Sequence, residues 1–354
     1  MHVIRARNVC EALRLGLGHL IERGVREETR AGPALVAPTP VVTATERPRE
    51  RVLFSPVRDA NPFFHVYESV WMLAGRRDAA PLLGFVRGFD TYAEKDGTVH
   101  GAYGFRWRHH FGIDQLKVVT EKLIKNPGDR QAVVTMWDPE YSACDLTGDW
   151  RDRPCNTHLY LRMRDNMHRE NFEDAFAPED RVLDMTVCCR SNDAIWGCHG
   201  ANAVHFSVLH EYLAVSVGAE VGVMYQVSSN YHAYLREVDR LAIRTPKSTF
   251  ESLRYRLRDD RYLENTLTPS PMFSDPKRAL EDAEMACAAH DAGWTGRRPE
   301  FANSWFSETL APAMLAHLLF KSGDHDLALK WCDAIESPDW RVACREWLER
   351  RVRR

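Results

Sequence analysis

A mixed α/β fold of the α+β type is predicted by three features of this sequence. Between Asn61-Pro62 and about Arg240, runs with helical apolar spacing alternate with short stretches rich in β-branched and aromatic residues. Ahead of that segment, Gly32-Pro33, Pro38, Pro40 and Pro48 interrupt any long regular element. Beyond Pro269-Ser270-Pro271 the composition shifts to Ala, Glu, Lys, Leu and Trp with helical periodicity. The chain therefore divides into three: residues 1–55, an N-terminal helix and mobile arm; 56–245, the core; and 246–354, a connector and helical extension.

Taken in order, residues 9–23 carry the apolar spacing of an amphipathic helix, and 24–55 read as an arm or edge-strand region. Helices are expected over 63–74, 113–124, 203–217 and 231–243, where apolar residues recur every three or four positions. Strands are expected over 131–137, 157–163, 183–189 and 221–227. The acidic stretch 168–180, between two of these strands, reads as an exposed loop insertion. About 80 residues of helix close the chain, without a catalytic signature or a repeat pattern.

Composition removes several classes of function. With 354 residues, 44% hydrophobic content and a net charge of -3, the chain can bury a sizeable core but presents no field for a polyanion, so nucleic acid is disfavoured as a partner. Nine cysteines are an odd number, and no CxxC pair or Cys/His cluster has zinc-like spacing. Reduced thiols, a cytoplasmic location and no metal are the expectation. The N-terminus lacks a signal-peptide core, and no apolar run reaches the roughly 18 residues of a membrane helix, so a soluble protein without a membrane partner is expected.

Chemistry concentrates at Cys155, in the run Asp152-Arg153-Pro154-Cys155-Asn156-Thr157, followed 35 residues later by Arg190-Ser191-Asn192-Asp193. A thiol nucleophile, an Arg-Ser pair able to hold a phosphate and an acid together form a kit for covalent chemistry on a nucleotide base. A thiol is only slightly ionised at neutral pH, so a neighbouring guanidinium such as Arg190 would favour the anion. Cys188, Cys189 and Cys198 read as buried small hydrophobes. Glu68 sits in the otherwise apolar helix pattern Tyr67-Glu68-Ser69-Val70-Trp71, where an unpaired carboxylate would be costly.

The order and spacing of several blocks resemble the thymidylate synthase and deoxycytidylate hydroxymethylase family over roughly residues 26–243. They are Glu68-Ser-Val-Trp71 with Gly75, Gly101-Ala-Tyr103-Gly104 with Trp107-Arg108, Asn126-Pro-Gly-Asp-Arg130, Pro154-Cys155, Arg190-Ser191-Asn192-Asp193 with Gly197, Asn202, and His232-Ala-Tyr234. The resemblance implies a three-layer fold with a bent mixed sheet that packs against a partner's sheet in a homodimer. Val133, Met136, Leu159, Leu161 and Met185 are candidates for that surface. The ligands it implies are a pyrimidine nucleoside monophosphate and 5,10-methylenetetrahydrofolate, with no metal.

By the same resemblance, Cys155 attacks carbon 6 of the base, Glu68 organises water near it and Tyr103 shares the proton network. Arg190 and Ser191 hold the phosphate, Arg130 reaches it from the partner subunit, and Arg30 closes over it from the arm. His232 and Tyr234 bind the 3'-hydroxyl, Asp193 binds the pterin, and Trp71 is an aromatic wall for the folate or part of the core, as is Trp107. Asn202 resembles the base reader, and an amide there suits uracil. The loop before it is one residue longer than usual, so strict spacing selects Ala201 instead, and His199 is a further candidate for touching the base.

Departures from the methylating pattern bear on the product. Gln131 stands in place of a second arginine beside Arg130, and Asn156 follows the cysteine where histidine is customary. The chain ends in Arg351-Val-Arg-Arg354 without a short apolar tail, and Arg190-Ser-Asn-Asp193 occurs in the hydroxymethylating branch. These features favour hydroxymethylation of deoxyuridylate over thymidylate synthesis, with deoxycytidylate hydroxymethylation third. A non-catalytic nucleotide- or RNA-binding regulatory module is the alternative of another class. A cysteine hydrolase using His158 or His232 is disfavoured, because His158 lies three residues along the same strand and points to its other face.

Overall fold

The computed structural model describes residues 1–140, 144–166, 181–243, 257–263, 267–295 and 299–352. Its framework is one mixed eight-stranded sheet in the order β1-β4-β8-β7-β6-β5, with a β2–β3 hairpin joined to the outer end of β8. The strands are β1 His2–Ala6, β2 Val25–Thr29, β3 Gly32–Val36, β4 Val41–Thr45, β5 Val133–Thr135, β6 Asn156–Asp165, β7 Arg181–Asp193 and β8 Glu220–Tyr234. β1 with β4 and β7 with β8 run parallel, and the remaining pairs are antiparallel. The four strands expected in the core all form. The stretch 168–180 lies outside the described residues.

Helix α1, Val9–Arg23, starts where the Asn8 side chain accepts a hydrogen bond from the Glu11 amide at 3.1 Å. In α2, Pro62–Leu73, the Asn61 side chain caps the Phe64 amide and Pro62 supplies a preset first-turn φ. The short α3, Tyr103–Phe105, runs into a wide turn through His110, and α4, Gln115–Lys125, leads to β5. α5, Asn202–Ser216, packs on β7 and β8, and α1 and α2 extend that helical layer. The helix expected over 231–243 begins only at Leu235, as α6, Leu235–Ile243. Residues 231–234 continue β8 instead, held by β3 on one side and β7 on the other. Tertiary pairing overrides helical spacing here.

The first 55 residues are not a loose arm. β1 and β4 are full members of the sheet, because Pro38, Pro40 and Pro48 fall between or after strands rather than within them. Nor is the C-terminal region an appendage. α7 Ala279–Asp291, α8 Ala311–Ser322 and α10 Pro338–Val352 cover the outer face of α2, and α9 His325–Asp333 packs between α8 and α10. Eleven of the twelve residues of α2 are buried, all except Phe64. A helix apolar on every side requires cover on every side, and the sheet can supply only one. Phe63 meets Trp347 edge-on at 5.5 Å, and Tyr67 packs on His290 at 4.1 Å. The layers are thus sheet, inner helices and C-terminal helices.

One expectation about the sheet is reversed. Met136, Leu159, Leu161 and Met185 point into the chain's own core, at 4% exposure or less. The open face carries the alternate residues, with Val133, Tyr160, Thr186 and Tyr225 in cross-strand register. Val133 is 38% and Tyr160 46% exposed. Because side chains alternate, choosing a face by hydrophobicity alone selected the inner one for all but Val133.

Candidate active site

Cys155 stands at the head of β6, where Pro154 ends the preceding loop. The Arg190 amide donates to the Cys155 carbonyl at 2.9 Å, which locks β7 to this point. The guanidinium of Arg190 is fastened by the Pro154 carbonyl at 2.9 Å and the Arg153 carbonyl at 3.1 Å, and it reaches to 3.9 Å from Cys155 Sγ. Burial nevertheless outweighs this cation, aided by nearby Asp152 and Asp193, and holds the thiol above its usual range. Arg190 therefore restrains a rise in the thiol pKa rather than producing a net depression.

Tyr103 comes to the same place. Gly104 lets α3 approach α2, since a Cβ there would lie 1.9 Å from the Met72 carbonyl oxygen. The phenol of Tyr103 is buried beside Cys155 and Asp152, and burial pushes its proton affinity well up. Asp152, not among the expected site residues, lies against Gly101, and burial raises its carboxyl. Behind it, buried Arg106 clasps Asp145 at 2.8 and 3.0 Å and so anchors the loop that delivers Cys155.

Arg30, in the β2–β3 turn, lines a cavity of about 430 Å³ together with Trp137, Arg151, Arg153 and Arg190. Four guanidinium groups thus surround one opening near the thiol, with Asp145, already clasped by Arg106, also in its lining. Arg130 is exposed ahead of edge strand β5 and does not line this cavity. Ser191, Asp193 and His232 are brought together by the β7–β8 pairing, with Ser191 opposite Asn230 and Asp193 opposite His232. His232 and Tyr234, two apart on a strand, share a face and meet edge-on at 5.2 Å. Burial raises the Tyr234 phenol, with Asp193 and Cys155 adding to the effect.

The longer loop before Asn202 is absorbed by the wide helical turns of residues 194–201, which kink at His199 and Gly200. Asn202 then opens regular helix α5, and its amide donates to Asn192 Oδ1 at 3.3 Å. Ala201 stays in the turn. His199 is no base contact: it is 1% exposed, with its ring 2.7 Å from the Tyr231 hydroxyl and packed on Gly16. Asn192, a second residue missed from the sequence, links Cys189, Ser228 and Asn202 in one buried amide network. Asn156 joins it by accepting from the Cys189 thiol at 2.8 Å.

Asp193 Oδ1 accepts from the Ile195 and Trp196 amides at 2.7 and 2.6 Å, while buried Oδ2 has no partner. Burial raises this carboxyl against the pull of the amides, His232 and Arg58. Arg58 was not anticipated. It is fully buried, donates through Nε to the Ile195 carbonyl, leaves both terminal nitrogens unpartnered and stacks under Trp196 at 4.3 Å. Burial and neighbouring Arg240 lower it to about 10. A buried arginine with both terminal nitrogens unpartnered, in the segment before α2, has no sequence signature. Trp71 is core, 2% exposed with its indole N–H donating to the Asp78 carbonyl at 3.1 Å, and Trp107 is fully buried too.

Glu68 is not an unpaired acid. His205 of α5 places Nε2 at 2.8 Å from Glu68 Oε2. As for the hydrolase alternative, His158 stacks with Tyr160 at 6.3 Å on the open face of the sheet. No group of three or more His, Cys, Asp or Glu side chains suited to a metal ion occurs among the described residues. Among the same residues no helix is long and apolar enough to cross a membrane.

Fold and site together define a mixed-sheet protein with a cysteine at a strand head beside an arginine-lined opening and a pair of linked carboxamides. The family model described as thymidylate synthase matches residues 19–268. The chain is 40% identical to a deoxyuridylate hydroxymethyltransferase of Pseudomonas phage M6 over 361 aligned positions, which cover 99% of this chain and 95% of that protein. A deoxyuridylate hydroxymethyltransferase of Bacillus phage SP01 is 34% identical over 55% of this chain and 49% of its own length. Thymidylate synthase of Bacillus atrophaeus is 27% identical over 46% of this chain and 66% of its own. The chain belongs to the thymidylate synthase family.

Proposed function

We propose that this protein transfers a one-carbon unit from 5,10-methylenetetrahydrofolate to carbon 5 of deoxyuridine 5'-monophosphate and releases it as a hydroxymethyl group. What supports the product most is the 40% identity, across 99% of the chain, to a protein named for that activity. The chemistry rests on Cys155: a thiolate bonded to carbon 6 turns carbon 5 into an enolate-like nucleophile. Arg190, at 3.9 Å, favours the thiolate, and the phosphate sits in the arginine-lined opening with Arg30 and Ser191. Asn202, held by Asn192, supplies donor and acceptor to the uracil edge, His232 and Tyr234 hold the 3'-hydroxyl, and Tyr103 moves protons beside the sulfur.

The free Oδ2 of Asp193, the exposed Trp196 ring and the two unpartnered terminal nitrogens of Arg58 fit a folate. A carboxylate matches the pterin's donor edge, an indole offers a stacking surface and a guanidinium accommodates an acidic tail. The open row Val133-Tyr160-Thr186-Tyr225 suits a second copy of the chain, which would carry exposed Arg130 to the partner's phosphate. All nine cysteines are unpaired, which accords with a cytoplasmic setting.

Turnover of deoxyuridylate and deoxycytidylate with methylenetetrahydrofolate, read by product mass and folate absorbance, tests the reading. Deoxyuridylate gaining a hydroxymethyl group with tetrahydrofolate released is expected, and Cys155→Ser lowers the rate below about one-thousandth. A methyl group with dihydrofolate, or no product and no Cys155 adduct with 5-fluorodeoxyuridylate, would overturn it.

A further inference from the structure

Between the inner helices lies a polar pair of which only Glu68 has been given a role, and His205 none. Glu68 of α2 and His205 of α5 are both buried, and Glu68 Oε2 and His205 Nε2 are 2.8 Å apart. They are not aligned as a hydrogen bond. Neither ring nitrogen of His205, nor Glu68 Oε2, has a hydrogen-bond partner. Buried polar atoms are rarely left so, and three at one place mark a position for water or substrate. His205 follows Asn202 by three residues on α5, which sets it one turn along on the same side as the base reader. Glu68 is the more open of the two, with its side chain 9% exposed against 2%. His65, the other imidazole nearby, is held neutral by burial and by Arg58.

We propose that His205 is the positioning residue behind Glu68, the glutamate that the family resemblance already assigns to water near the base, and that this pairing takes the proton of the water in the hydroxymethyl step and commits the enzyme to that product. The inference rests on the hydroxymethyl reading above. Once the one-carbon unit is a methylene on carbon 5 of the Cys155-bound nucleotide, it is conjugated with the C4 carbonyl and accepts a nucleophile. Water bonds to the methylene carbon and gives one proton to Glu68, which hands it to His205 behind it. The methylene's π electrons move into the ring as an enolate. The enolate then re-forms the carbonyl, the C5–C6 double bond returns, and the Cys155–C6 bond breaks with its electron pair leaving on sulfur. No oxidant or reductant is consumed. A carboxylate backed by an imidazole suits this task, because the second group takes the proton and leaves the carboxylate able to serve again.

The test is His205→Gln in the full-length enzyme, followed by three readings: Cys155 adduct formation with deoxyuridylate and methylenetetrahydrofolate, tetrahydrofolate release in the first turnover, and product mass with and without 2-mercaptoethanol. Adduct formation and first-turnover folate release are expected within about twofold of wild type, with hydroxymethyl product formed about a hundredfold more slowly. The added thiol should then capture the waiting methylene as a thioether that wild type does not yield. A merely structural His205 would slow adduct formation and hydration together, and that result, or wild-type hydration without thioether, would overturn the proposal. His205→Asn gives the same readings should the first variant fail to fold. Failure of the hydroxymethyl reading itself is separate, because wild type would then make no hydroxymethyl product.

Discussion

Asp193 does two jobs with two oxygens, and substitution should separate them. Oδ1 caps the Ile195 and Trp196 amides at 2.7 and 2.6 Å, while Oδ2 is buried and unused. Asparagine caps helices about as well as aspartate, so Asp193→Asn should lose only the charge–dipole part, on the order of 0.3–1 kcal/mol. Asp193→Ala removes the cap as well, for about 1–2 kcal/mol and a melting point lower by a few degrees. Toward folate the two variants should behave alike. A hydrogen bond to a charged group contributes about 1.5–3 kcal/mol, which corresponds to roughly a 10- to 150-fold higher KM for methylenetetrahydrofolate. Deoxyuridylate affinity, measured calorimetrically without folate, should barely change. The reasoning fails if Asp193→Asn keeps the wild-type folate KM, or if both variants melt together.

Three further outcomes are expected. Asn202→Asp should move the preference from deoxyuridylate toward deoxycytidylate by about 10- to 150-fold in kcat/KM, since the new acceptor suits the cytosine amino group and faces O4 of uracil without a donor. Unchanged selectivity would exclude Asn202 as the base reader. Alkylation of Cys155 by iodoacetamide should have its pH midpoint above that of an ordinary thiol, because burial raises the group. Arg190→Met should move the midpoint further up, since the one cation lowering it is removed, and a downward move would refute that assignment. Trp347→Ala should cost about 3–5 kcal/mol, seen in thermal melting, because the ring is buried against Phe63 at 5.5 Å and Phe320 at 5.8 Å. A free appendage would show almost no change.

The parts of this protein legible in its sequence are those set by local chemistry. Helix α1 matches the expected 9–23, and the strands bearing Cys155 and Arg190 lie where β-branched residues accumulate. Residues 231–234 misled because their spacing fits a helix, whereas pairing with β3 and β7 decides their state. Arg58 and His205 were invisible for a different reason. Each is an ordinary surface-type or helical residue until burial removes its partners, and burial is a property of the assembled layers. His199 shows the converse: its place in a functional block suggested a ligand contact, and the kink at Gly200 accompanies a ring turned inward to Tyr231.

The C-terminal helices bear on the site through α2. The outer face of that helix is gripped by Trp347 through Phe63 and by His290 through Tyr67, and Glu68 comes directly after Tyr67. A second grip falls just upstream. Arg350 and Arg351 both hold Asp59, at 3.2 and 2.9 Å, and Asp59 is adjacent to Arg58, whose guanidinium lies under Trp196 and bonds the Ile195 carbonyl. Two residues whose orientation matters, Glu68 and Arg58, are thus each one position from a residue clamped by the tail. Their local contacts are few: Arg58 has one hydrogen bond through Nε and the Trp196 ring, with both terminal nitrogens unpartnered, and Glu68 has His205 at 2.8 Å. Backbone held from outside therefore adds to these few contacts, which makes the extension part of the scaffold around α2.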